Sequence, residues 1–174
     1  MKYRLNTETQ EFIEDKGNLG SFFFQNPWRE AKINEINDFK LNQIRSNKLK
    51  ELDNYHFNSS EIRKMKINDY FVLSLSIDGR TLVSEQIQDL EQQVKLGIIN
   101  EMSASFEYFY NGGSIEITLP QLRQLYIFMM NIVNFNYGIY KDHMHVIKNL
   151  STIEEIELYD FTLNYLKNQN LNIE

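Results

Sequence analysis

Residues 106–122 read FEYFYNGGSIEITLPQL, and they decide the order of elements in the chain. Two runs rich in aromatic and β-branched residues, 106–110 and 114–117, flank an Asn-Gly-Gly turn, which is typical of a β-hairpin. Thr118 can cap a helix, and Gln121 three residues later completes a capping-box pattern. The stretch therefore predicts a hairpin followed directly by a helix.

The helix predicted after this hairpin spans residues 119–149. It is apolar nearly all round between Leu122 and Tyr140, and such a helix belongs in the centre of a core or in an oligomer interface. Ser151 and Glu154 repeat the capping-box pattern and predict a short final helix. The C-terminal third is therefore expected to fold as a hairpin, a long helix and a short helix.

A second hairpin is predicted upstream, over residues 69–84. Apolar and small polar residues alternate there, and Asp78-Gly79 matches a tight hairpin turn. Residues 84–102 then place apolar side chains every three or four positions, which predicts an amphipathic helix. We expect both hairpins to join one small antiparallel sheet, with this helix and the 119–149 helix packed on it.

The N-terminal part contains short β-like runs at residues 2–5, 11–14 and 21–25, which are separated by turn residues. Pro27 suits the start of a helix, and the pattern predicts one over residues 28–54. Its apolar positions form only a thin stripe on a charged cylinder. A helix so polar is expected to bridge two parts of the molecule or to lie against a partner.

Together these elements predict an α+β fold. A small antiparallel sheet of hairpins is packed with three to four helices, preceded by a short β-rich N-terminal head and a long polar helix. The predicted divisions are the β-rich head at residues 1–27, the polar connecting helix at 28–57, and the main α+β domain at 58–174.

Composition narrows the possible functions of this 174-residue chain. It has no cysteine, which excludes disulfides, thiolate zinc sites and cysteine nucleophiles. A net charge of −6 argues against nucleic-acid binding by the bulk of the surface. The apolar stretch near residues 125–135 is broken by Asn131 and Asn134, so no membrane partner is expected.

The charge is distributed unevenly along the chain. Residues 28–66 carry nine Lys and Arg against six Asp and Glu, whereas residues 84–120 carry one Lys against six acids. A second copy of the chain could pack its basic end against this acidic end. The alternative is that these charges are solvated helix faces without a partner.

A search for reaction chemistry gives no candidate. His143 and His145 lie two residues apart on a predicted helix and cannot bind one metal from the same face, and His56 is distant in sequence. The histidines are therefore read as partly exposed residues. The chain lacks the phosphate-binding, metalloprotease and nucleophile-elbow motifs. We expect no enzyme activity, no catalytic residues, no metal and no cofactor.

Two aromatic segments are candidate partner-binding elements. The first is Phe22-Phe23-Phe24 with Trp28, read either as an anchor that docks the head onto another chain or as a small local core. The second is the strand at 106–110, in which Tyr108 and Tyr110 are the candidate contacts. Aromatic residues occupy both faces of that strand, so either both faces are buried or one meets a partner.

The order of elements resembles a domain of unknown function found in phage tail and tail-fibre-associated proteins. The likeness covers residues 29–161. It includes the Thr-Leu-Pro-Gln-Leu helix start at 118–122 and an Ile-x-x-Leu-x-Thr-x-Glu-Glu-Ile pattern within 144–156. Residues 1–15 are separately similar to the start of small tail-fibre proteins. The longer charged connection at 58–68 departs from the family pattern.

The resemblance implies a non-enzymatic structural or interaction protein of a phage or phage-like tail, associated with a fibre, tip or baseplate. Its partners would be tail or fibre proteins, with self-association as an option, and its location the virion. One alternative is a tail-fibre assembly chaperone. The other is a phage-encoded inhibitor of a bacterial defence system, such as an anti-CRISPR protein, which would bind a host defence effector in the bacterial cytoplasm. The resemblance implies no catalytic residues.

Overall fold

A computed structural model describes residues 2–20, 23, 25–110 and 112–171 of the protein. It mixes helices with small sheets, so the predicted α+β class is confirmed. In chain order the elements are β1 (Lys2–Asn6), β2 (Phe12–Asp15), β3 (Trp28–Glu30), α1 (Ile33–Asn58), α2 (Ser60–Arg63), β4 (Lys64–Lys66), β5 (Val72–Ser74), α3 (Ile77–Lys95), β6 (Ser105–Tyr110), β7 (Gly113–Thr118), α4 (Leu119–Asn149), α5 (Ile153–Leu158) and β8 (Gln169–Asn170).

The chain divides into two compact units. One comprises Met1–Lys50 with Ile147–Tyr159, and the other comprises Glu51–Val146 with Asp160–Glu174. Within the described residues, no helix is both long enough and apolar enough to cross a bilayer.

In the first unit, β1, β2 and β3 form an antiparallel sheet with the order β2-β1-β3. The predicted strands at 2–5 and 11–14 are confirmed. Of the predicted run at 21–25, Ser21, Phe22 and Phe24 lie outside the described residues. The prediction that residues 28–54 are one helix is wrong at its start, because Trp28–Glu30 pairs with β1 and the helix begins only at Ile33.

The polar helix α1 supports this unit through aromatic and cationic side chains. Phe39 stacks on Phe12 with a ring-centroid distance of 4.5 Å, which covers the sheet. At a later position on the helix, Arg45 donates to the backbone oxygen of Leu150 at 2.7 Å. The part of α1 up to Lys50 therefore contributes polar contacts to the first unit as well as a narrow apolar stripe.

Helix α5, in the same unit, begins with a complete capping box. Thr152 accepts from the backbone N–H of Glu155 at 3.2 Å, and the carboxylate of Glu155 accepts from the N–H of Thr152 at 2.9 Å. The predicted box at Ser151 and Glu154 is therefore one residue too early. The backbone N–H of Ser151, followed by that of Thr152, donates to the carboxylate of Glu155 and lowers its pKa.

In the second unit, the predicted hairpin over residues 69–84 is wrong. Strand β5 pairs instead with β4, which also pairs in parallel with β8 near the C-terminus, giving the order β5-β4-β8. Asp78 and Gly79 lie in the first turn of α3, where the Ser76 hydroxyl caps the helix by accepting from the N–H of Gly79 at 3.2 Å. Because Ser76 caps a helix, the Asp78-Gly79 pair that resembled a hairpin turn forms part of a helix start instead.

Helix α3 also ends earlier than the predicted position 102. Gly97 adopts a left-handed backbone with φ of 70°. Its N–H donates to Val94, and the N–H of Ile98 donates to Gln93, at 2.9 and 3.0 Å. This pair of bonds is a Schellman motif, which ends helices at a glycine. Ile98 and Met102 consequently lie outside the helix with exposed side chains.

The hairpin quoted first in the sequence is confirmed, with β6 and β7 paired from Ser105–Thr118 to Tyr110–Gly113. It forms a separate two-stranded sheet, so the prediction that both hairpins join one sheet is wrong. Helix α4 is confirmed at its predicted bounds. The amide oxygen of Gln121 accepts from both the backbone N–H and the hydroxyl of Thr118, each at 2.9 Å.

The hydrophobic core of the second unit is formed by inward residues of the small sheets, of α3 and of α4. Its fully buried side chains include Met65, Leu75, Val83, Ile117, Leu119, Leu122, Leu125 and Met129. Helix α4 is not buried all round, because Ile127, Phe135 and Tyr137 are exposed on it. The β5-β4-β8 sheet and the β6–β7 hairpin each turn one face to this core and leave the other face to solvent.

Candidate protein-interaction surface

A row of five aromatic rings connects the surface of the second unit to its core. We call it the aromatic ladder, and it runs Tyr70, Tyr110, Phe71, Tyr108, Phe106. Successive centroid distances are 6.3, 6.0, 5.1 and 5.0 Å. Phe71 and Tyr108 are buried in the middle, whereas Tyr70 at one end is 73% exposed. The ladder therefore connects the exposed ring of Tyr70 to rings that are buried in the core.

Tyr108, a predicted partner contact, lies in the core. Its side chain is buried and its hydroxyl donates to the amide oxygen of Gln86, which is itself buried on α3. Burial raises the pKa of Tyr108 to about 12, so the phenol stays protonated. Tyr108 anchors the hairpin to α3. Tyr110, the other predicted contact on this strand, is half-buried between Tyr70 and Phe71.

The opposite face of the hairpin is exposed and acidic. Side chains alternate along a strand, so Glu107 and Phe109 share the face that points away from Tyr108. Glu107 lies directly across from Glu116 of β7. Each carboxylate accepts a hydrogen bond from a serine hydroxyl, Ser114 to Glu107 at 2.5 Å and Ser105 to Glu116. We call Glu107, Phe109 and Glu116 the acidic hairpin face.

Phe109 stands out on this face because its side chain is 78% exposed. Like charges directly opposite each other across strands are destabilising, so the pairing of Glu107 with Glu116 costs stability in the isolated chain. The described residues provide no cationic partner for either carboxylate, and the exposed ring of Phe109 lies beside them. A partner with a cationic and apolar surface would compensate the carboxylates and cover this ring.

The outer face of the β5-β4-β8 sheet has the opposite charge. Lys64 and Lys66 project from the same side of β4, beside Val72 on β5. They line a groove of about 440 Å³ together with residues near the C-terminus. We call this the basic groove, and its remaining lining residues are Ser60, Asn168, Gln169 and Asn170. Lys66 makes an exposed contact of 3.5 Å with Asp69, and Lys64 has no carboxylate partner among the described residues.

The predicted aromatic anchor in the N-terminal head has a different environment. Trp28 is only 7% exposed, and its ring meets the edge of Phe23 at 5.0 Å. Phe22 and Phe24 lie outside the described residues. The burial of Trp28 fits the alternative interpretation of a local core, because a buried ring presents little area to another chain.

A polar cluster on α4 was missed by the sequence analysis. Asn136 both donates to the carbonyl of Leu166 and accepts from its N–H, at 3.1 and 2.8 Å. Seven residues later, Nε2 of His143 lies 3.0 Å from the carbonyl oxygen of Leu163. The two side chains hold the C-terminal segment against α4. Residues seven positions apart lie on the same face of a helix, so this spacing of two polar side chains on an apolar helix was the signal in the sequence.

His56 is buried as well, so the reading of the histidines as partly exposed is wrong for His56 and His143. Its ring stacks on Tyr140 with a centroid distance of 4.6 Å. Burial, assisted by Arg63 and opposed by Asp53, lowers the pKa of His56 to about 4. In the described part of the chain, no group of three or more His, Cys, Asp or Glu is placed to hold a metal ion.

Comparison with known proteins gave no match to a family model, to a curated protein or to a solved structure.

Proposed function

We propose that this chain is a non-enzymatic interaction protein that binds another protein chain through the β6–β7 hairpin, as a component of a phage or phage-like tail. The observation that carries the interaction role is the exposure of Phe109 on a strand whose other face is anchored in the core. The phage context rests on the resemblance of residues 29–161 to tail-associated domains.

Three features of the hairpin support binding to a protein. Aromatic side chains are enriched in interface cores, and the ring of Phe109 is exposed on the hairpin. Each strand pairs only with the other among the described residues, so the outer edges keep free backbone donors and acceptors. The aromatic ladder and the Tyr108–Gln86 hydrogen bond hold the hairpin in place, which lowers the entropic cost of ordering on binding.

The alternative of an inhibitor that mimics nucleic acid over its whole surface is disfavoured by the basic groove. A mimic of that kind needs continuous negative charge, and Lys64 with Lys66 interrupts it. An assembly chaperone could use the same hairpin, and it would differ by its absence from the finished particle.

The test is an affinity pull-down from phage-producing or induced cells, with mass spectrometry and three versions of the protein. The wild type is compared with Phe109→Ala and with Ile127→Ala, a control that removes an exposed apolar side chain from α4. We expect tail proteins to be recovered with the wild type and with I127A, and to be reduced at least about tenfold with F109A. Recovery of a host defence effector in place of tail proteins would contradict the proposal.

Proteomics of purified particles then separates two of the roles. A stoichiometric amount of the protein in particles supports a tail component. Its absence from particles, combined with F109-dependent binding of fibre protein in the cell lysate, would instead establish an assembly chaperone.

A further inference from the structure

We propose that one partner of the hairpin is a second copy of this chain, with the acidic hairpin face of one copy bound in the basic groove of the other. The inference rests on the proposed function in one respect, that the hairpin is a protein-binding surface. It goes further by identifying the surface that receives it.

Charge complementarity is the first argument. The chain has a net charge of −6, whereas the lining of the basic groove contains two lysines and no acid. Lys64 and Lys66 are two residues apart on one strand, which places their Cα atoms about 7 Å apart on the same face. Glu107 and Glu116 are cross-strand neighbours with Cβ atoms about 5 Å apart. Flexible lysine side chains can span that difference and reach both carboxylates.

The apolar residues of the two surfaces correspond as well. Phe109 follows Glu107 by two residues on the acidic hairpin face, and Val72 lies directly across from Lys66 in the basic groove. Both side chains are exposed in the single chain. When the carboxylates meet the lysines, Phe109 of one copy can cover Val72 of the other.

Both surfaces belong to the same unit, and a ring contact links the elements that carry them. Tyr70, in the turn that leads into β5, stacks on Tyr110 at the end of β6, with the rings 4° from parallel. Val72 is two residues from Tyr70, and Phe109 is adjacent to Tyr110. A two-fold pairing of the two surfaces would form the contact twice, which is the usual way a homodimer closes.

The experiment is equilibrium sedimentation of the full chain and of two charge-reversed variants, K64E/K66E and E107K/E116K. In a dimer of either variant alone, the hairpin face and the groove that it meets carry like charges at both contacts. In a mixed dimer of the two variants, they carry opposite charges at both contacts. We expect each variant alone to associate at least about tenfold more weakly than the wild type, and the equimolar mixture to recover wild-type affinity. Wild-type association should also weaken between 50 and 500 mM salt.

A control variant, K50E/K95E, carries the same change of net charge as K64E/K66E on exposed helix positions and should associate like the wild type. Thermal melts confirm that all variants are folded. A wild type that stays monomeric up to about 1 mM, or a mixture of variants no stronger than either alone, would overturn the inference. If tail proteins still bind in an F109-dependent way in that case, the proposed function stands without self-association.

Discussion

The turn at Gly112 and the helix start at Gly79 need glycine for different reasons. Gly112 has a φ of 118°, which side chains rarely adopt, but nothing lies within 4 Å of the place where its Cβ would be. Gly79 has no such backbone, yet a Cβ there would lie 2.2 Å from the carbonyl oxygen of Ser74. The first glycine serves a turn and the second serves a close approach between β5 and α3. Dipeptides that look alike therefore have different roles.

The largest effect is expected from Gly79→Ala. Backbone atoms of Ser74 block the new methyl group, so the strand or the helix must move, and we expect a loss of about 3 kcal/mol in the free energy of unfolding. Urea unfolding followed by circular dichroism measures it. Gly138→Ala is the matched control, because that helical glycine is exposed with open space around it and should gain about 1 kcal/mol. An unchanged free energy of unfolding in G79A would show that the contact between β5 and α3 does not require glycine.

Gly112→Ala should have a smaller cost than Gly79→Ala. Here the methyl group has room, and the cost comes only from the left-handed backbone, at about 1–2 kcal/mol. The same urea titration applies. If G112A lost more free energy of unfolding than G79A, backbone conformation would matter more than the close approach at Gly79.

Ser76→Ala tests why Asp78-Gly79 starts a helix. The hydroxyl of Ser76 accepts from the N–H of Gly79, and its removal should cost about 1 kcal/mol. Helical content at α3, followed by NMR chemical shifts, should decrease in the first turn. Unchanged shifts at residues 77–80 would show that the helix start does not depend on this cap.

Thr118→Ala, at the junction of β7 and α4, should have the smallest effect. Alanine removes the hydroxyl bond to Gln121 but keeps the bond from the backbone N–H to the same oxygen, so we expect about 0.5 kcal/mol. The measurement is urea unfolding beside S76A. A cost equal to or above that of S76A would indicate that the threonine hydroxyl has a second role.

The sequence was sufficient where local signals agreed with one another. The 106–117 hairpin and the 119–149 helix combine turn, strand and cap patterns within a few residues, and both are confirmed. Residues 69–84 contain a turn signal and a serine cap that compete, and the outcome depends on β4, which takes β5 as its partner. Strand β8 pairs with β4 across about a hundred residues of chain, and no local pattern reports such a contact.

The candidate surface was only half predictable for a related reason. Aromatic residues on both faces of 106–110 left open which face is buried, because alternation identifies a buried face only when the other face is polar. The structure settles this through Phe71 and Gln86, which lie far away in sequence and cover the side of Tyr108. Phe109 is left exposed as a result, although only its neighbours Tyr108 and Tyr110 were predicted as contacts on this strand.

The most direct test of the proposed role replaces Phe109 with a photocrosslinking amino acid and compares it with the same replacement at Ile127. Both side chains are exposed in the second unit, one on the hairpin and one on α4. After irradiation of phage-producing cells, we predict a crosslinked product from position 109, to a tail protein or to a second copy of this chain, and none from position 127. Equal products from both positions, or none from position 109, would contradict the proposal that the hairpin is the binding surface.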